Sequence, residues 1–159
     1  MSVSDQGAAA SVRFGTTPPG LDEAQVRQVV DGFYAKVRRD PALGPVFDAH
    51  IAPEQWPPHL RQMYDFWSAM LLGTGRVYGR PRPKHQAIPE INDDLFVRWL
   101  VLFKQTVDEI CHPDTAALFI DRAERIAQSF RLAIAYQRGE DSTAVEPLRA
   151  AELTLPGSC

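Results

Sequence analysis

The sequence predicts an all-α protein with four substantial helices. Three observations carry that expectation. Apolar residues recur at three-and-four spacing along four stretches. Capping residues and prolines stand where those stretches begin, and glycines close two of them. No stretch shows the strict alternation of a half-buried strand, and no internal repeat is present. A chain of 159 residues fits one domain with a real core.

Met1 to Gly20 is small and polar and ends in TTPPG without apolar periodicity, so residues 1–20 read as a flexible leader that tolerates trimming. From Leu21 to Arg39, Val26, Val29, Val30, Phe33, Tyr34 and Val37 fall on one helical face, which places a phenol within an apolar stripe. Asp40 then stands as an N-cap and Pro41 as a first helical residue of one tight turn ending at Phe47. After a connection from Asp48 to Gln55, Trp56 opens a helix with Pro57 and Pro58 in its first turn. There a missing N–H costs nothing.

On that helix His59, Met63, Phe66, Trp67 and Met70 share a face, and Leu71 and Leu72 lead to Gly73 as its C-terminal cap. Thr74 to Pro89 is rich in Gly, Pro and Arg, which predicts a loop with at most a turn or two of helix around His85. Asn92 or Asp93 caps a third long pattern through Phe96, Trp99, Leu100, Phe103, Val107 and Ile110. Pro113 and Asp114 open the last one, from Leu118 to Tyr136 and ended by Gly139. These readings give an ordered domain over residues 21–138 and a flexible, frayed tail over 139–159.

Composition excludes several classes. Hydrophobic residues are 45% and charged residues 23% of the chain, values of a soluble globular protein. No apolar run nears the roughly 18 to 20 residues that span a bilayer, so we expect no membrane association and a cytoplasmic location. The net charge is −3 and the basic residues are scattered except for Arg76, Arg80, Arg82 and Lys84, so nothing points to nucleic acid. Cys111 and Cys159 are too few for a disulfide framework or a cysteine metal site and read as ordinary reduced thiols. Motifs for zinc proteases, phosphate loops, dinucleotide folds and nucleophile elbows are absent.

Chemistry therefore rests on four histidines. His50 and His112 lie in connections without matched partners, whereas His59 and His85 bound the central stretch. A haem needs one basic nitrogen for iron, an apolar slot and polar groups on the far side. His85 offers the nitrogen from a non-helical approach. Phe47, Met63, Phe66, Trp67, Leu72 and Phe96 offer the slot, and Tyr34, His59 and Trp99 offer polar tips from three helices. The plainer alternative is that Tyr and Trp sit in a core with their O–H or N–H on a backbone carbonyl.

The runs FYAKVRRDPALGPVF (Phe33 to Phe47), FWSAMLLGTGRVYGRPRPKH (Phe66 to His85) and FVRWLVLF (Phe96 to Phe103) resemble the truncated haemoglobins, and within them group III. The resemblance spans Leu21 to Tyr136. It implies a shortened globin, a two-over-two helical sandwich around haem b. By this resemblance Tyr34 is the distal tyrosine, Phe47 packs on the haem and His59 is the distal histidine. His85 is the proximal iron ligand, and Trp99 is the tryptophan of the distal pocket. The connection from Phe47 to His59 is shorter than the family pattern and holds Pro57-Pro58, so His59 either points into the pocket or swings out as a gate. Arg76, Arg80, Arg82 and Lys84 either pair with the haem propionates or form a solvated basic loop.

The expected ligands are O2, NO, CO or peroxide. Hydrogen bonds from Tyr34 and Trp99 to bound O2 would slow its release. That favours redox chemistry, as an NO dioxygenase or peroxidase-like activity served by an unidentified reductase, over simple O2 transport. A non-catalytic gas-binding or sensing globin and a haem-free helical interaction module remain as alternatives. A zinc enzyme lacks a third close-spaced ligand. The expected state is a monomer or weak dimer.

Overall fold

The computed structural model describes residues 20–73 and 92–155. Five α-helices follow one another there: α1 (Glu23–Arg39), α2 (Leu43–His50), α3 (Trp56–Leu72), α4 (Asp93–Ile110) and α5 (Pro113–Gln137). Among the described residues there is no strand. None of these helices is long and apolar enough to cross a membrane.

Helix α1 starts where Asp22 accepts the N–H of Gln25, and it buries the expected stripe of Val26, Val29, Val30, Phe33, Tyr34 and Val37. It packs against α2, α3 and α4, while α4 also runs along α5, so one helix pair lies across another. Asn92 caps α4 through the N–H of Leu95, and Gly73, at φ 70°, closes α3 in the left-handed conformation that favours glycine. Between the layers Trp67 of α3 stacks on Phe103 of α4 at 5.2 Å and 18°, and Phe119 of α5 closes the cluster at 5.5 Å from Trp67.

One expectation needs correction. The turn expected to end at Phe47 is instead a helix of eight residues, Leu43–His50. It starts at Leu43 with Ala42 as its N-cap, not at Pro41 after Asp40, although the Asp40 carboxylate does accept the N–H groups of Ala42 and Leu43. Nothing after Phe47 breaks the helix until Pro53, ahead of which Ala52 must be extended, so the helix ends at His50 with Ile51 as its extended cap.

Beyond Gly139, the described residues 140–155 lie on the helices. Gln128 donates to the carbonyl of Val145, Arg131 to that of Glu146, and the N–H of Ala150 to Glu124. Ala150 is buried, and Leu148, Leu153 and Leu155 cover the core. The apolar residues of the tail are too sparse to show a period, yet Leu148, Ala150, Leu153 and Leu155 meet surfaces that only the packed helices create.

Gly44 shows how tightly the corner between α1 and α2 is built. A Cβ there would stand 2.7 Å from the carbonyl oxygen of Arg38, a backbone atom that cannot step aside. Gly44→Ala should therefore lower stability by about 1–3 kcal/mol, as overpacking does. Chemical denaturation reads the change, and a midpoint equal to the wild type would show that the corner relaxes freely.

Candidate functional site

Three helices deliver a cluster of rings. Tyr34 comes from the last turns of α1, Phe47 from α2, and Trp56 and His59 from the first turn of α3. The Tyr34 ring lies 5.4 Å from His59, 5.8 Å from Trp56 and 6.1 Å from Phe47, all steeply inclined to it. His59 is turned inward, only 9% exposed, with its ring at 90° to that of Trp56.

The Tyr34 side chain is buried, only 4% exposed. Burial alone pushes its pKa well above that of an ordinary phenol, so it stays protonated and remains a donor at every physiological pH.

Trp99 of α4 reaches this cluster through Phe33, 5.6 Å away, and stacks on Phe103 at 13°. It is half-buried. Of the residues expected to form an apolar slot, Phe47, Met63, Trp67 and Phe96 are buried, and Phe66 and Leu72 are partly buried against the same core. The ring of Trp67 is directed at Phe103 and Phe119, so this side chain joins α3 to α4 and α5. Phe96 also lines an open cleft of about 560 Å³ between the start of α4 and the end of α5, whose walls carry Asp93, Arg131 and Arg138.

A salt bridge holds the two sides of the cluster in register. Arg98, next to Trp99, donates through Nε and Nη2 to the two carboxylate oxygens of Asp40 at 2.9 and 2.7 Å. Burial would raise the pKa of Asp40. The Arg98 guanidinium and the N–H groups of Leu43 and Ala42 outweigh it and hold the carboxyl below its usual value.

The model of the bacterial-like globin family matches residues 20–132. The chain is 32% identical over 113 residues to the group 3 truncated hemoglobin ctb of Campylobacter jejuni, covering 70% of this chain and 89% of the relative. The crystal structure of the group III truncated hemoglobin from Campylobacter jejuni superposes with a TM-score of 0.68 at 30% identity, covering 75% of this chain and 95% of that one. The chain is a group III truncated haemoglobin of the bacterial-like globin family.

Binding of small gases through haem is what this globin family supports. The helix pairs described above are those of the truncated globin fold: α1 and α3 form one layer, α4 and α5 the other. The described part of the globin also fits a haem with a polar far side, because the buried side chains of Tyr34, Trp56 and His59 meet there and the Trp56 Nε1–H has no acceptor among the described residues. The expected proximal residue His85, and Arg76, Arg80, Arg82 and Lys84, lie outside the described residues. His50 and His112 are exposed, and His112 accepts the N–H of Asp114 as the cap of α5.

The residue that sequence reasoning missed in this globin is Trp56. It is 2% exposed and touches both Tyr34 and His59. A signal was present, since Trp56, His59, Met63 and Trp67 run at spacings of three, four and four along one helical face. The two prolines after Trp56 mark only a helix start and say nothing of a buried ring.

Proposed function

We propose that this globin carries haem b on His85, binds O2 and related small ligands such as NO, CO or peroxide, and converts NO or peroxide with electrons from a separate reductase. Simple O2 transport fits less well. The observation that carries the reading is the buried, protonated Tyr34 hydroxyl beside an inward His59. The haem supplies an iron that binds small gases and exchanges electrons with them.

Everything else falls to the chain. Tyr34 donates a hydrogen bond to the partial negative charge of a ligand in the pocket, and Trp99 is the second donor we assign there. His59 stands over the entry. Phe47, Met63 and Phe96 keep water out, which strengthens each polar contact inside. Donors of this kind hold a ligand that gathers charge, which suits turnover and opposes release.

Replacing Tyr34 by Phe removes the donor and keeps the ring. The O2 dissociation rate should rise by about tenfold or more, as loss of one such bond in a dry site implies. NO consumption with a chemical reductant should fall in the same variant. An O2 dissociation rate unchanged from the wild type would remove the argument for Tyr34 and, with it, the case against simple transport.

A further inference from the structure

Trp56 is the first residue of α3, and two neighbours from α1 close on its ring. The Tyr34 ring is 5.8 Å away, and the Arg38 guanidinium carbon lies 4.5 Å from the indole centroid. Tyr34 and Arg38 are four residues apart and so share one face of α1. The edge of the indole is left to His59, three residues further along α3, at 5.5 Å and 90°. Pro57 and Pro58 between them fix the direction in which α3 sets out.

A tryptophan is a costly choice for a mere filler here. Its Nε1–H is fully buried and has no acceptor among the described residues, a penalty that a phenylalanine would not incur. What indole adds over a single ring is a broader surface and the strongest platform for a cation, and Arg38 uses it. Arg38 is itself exposed, so its stem and charge reach the ring from outside while His59 meets it from inside.

We infer that Trp56, gripped by Arg38, is a positioning residue for His59 that holds the imidazole inward and so sets how easily a ligand passes. This rests on the gas-binding reading of the same pocket. Loosening the grip lets the first turn of α3 shift and His59 turn outward. Tyr34, which lies on α1, keeps its place.

The test uses the full-length haem-loaded protein with two measurements. One is CO association after flash photolysis. The other is the rate at which diethyl pyrocarbonate modifies His59, followed by peptide mass mapping. Arg38→Gln and Trp56→Leu should each raise both rates, Arg38→Gln by about two- to fivefold, the change that loss of one exposed cation–π contact implies. Arg38→Lys, which keeps the cation, should stay near the wild type. In a His59→Ala background Arg38→Gln should change CO association no further.

Should Trp56→Leu fail to fold, the exposed Arg38 variants still decide the matter. Wild-type modification of His59 in Arg38→Gln would overturn the inference, as would an equal gain in CO association with and without His59. If the protein takes up no haem, the gas-binding reading fails separately, and the modification rate alone still shows whether Arg38 and Trp56 hold His59.

Discussion

A His85→Ala variant, expressed with haem supply, should lack the absorption spectrum of a His-ligated ferrous haem with CO that is expected of the wild type. The other three histidines lie on the described helices or cap one of them. His50 is exposed at the end of α2, His112 caps α5, and His59 is packed between Tyr34 and Trp56. His85 is also the residue that the family resemblance places at the iron. An alanine there leaves room for a free imidazole, so added imidazole should restore part of the spectrum. A variant that keeps the wild-type spectrum without imidazole would move the ligand role to another side chain. If the wild type itself takes up no haem, the gas-binding reading falls as a whole.

Arg98→Met should be the most damaging change to the framework. It leaves Asp40 buried with its backbone N–H partners and without its cation, the situation in which breaking a buried pair costs most. A loss of about 3 kcal/mol follows, at the lower end for such pairs because the backbone bonds remain. For a chain of this size that is a fall in Tm of roughly 6–12 °C.

The pH dependence has a definite sign. The folded pKa of Asp40 lies below its unfolded value, so its contribution is fully present above the unfolded carboxylate pKa of about 3.9 and is lost as pH falls through the folded value. Asp93 is lowered too, chiefly by its hydrogen bonds to Arg131, and it acts in the same direction. Melting curves from neutral to acid pH should show the wild type losing stability below about pH 4. Arg98→Met should start from a lower plateau and lose less over that range. Parallel curves for the two proteins would show that the pair does not hold the carboxyl down.

Disruption at Arg98 should reach the pocket as well. Asp40 belongs to the corner from which Tyr34 and Phe47 project, and Arg98 is the neighbour of Trp99. The pair thus ties the corner that carries Tyr34 and Phe47 to the helix that carries Trp99. The same measurement of O2 dissociation proposed for Tyr34→Phe would register its loss.

Much of the fold is legible in the chain because its causes are local. Asp22, Asn92 and Gly73 act on backbone groups within four residues of themselves, and the stripe of α1 follows from helical periodicity alone. The sequence by itself therefore determined that the protein is all-α, where its main helices begin and end, and, through three specific runs of residues, that it is a truncated haemoglobin.

Tertiary structure decided what depends on how helices cross. Asp40 and Arg98 are 58 residues apart, and nothing in the spacing of either announces the pair. Trp56 has a visible place on its helical face. That its ring is wedged between Tyr34 and Arg38 follows only from the approach of α3 to α1. The tail is the same case, since Ala150 and Leu153 find grooves that do not exist until α4 and α5 have packed. A helix is set by interactions within about one turn, whereas a pocket is set by the distances between helices. Those distances come from the whole core at once.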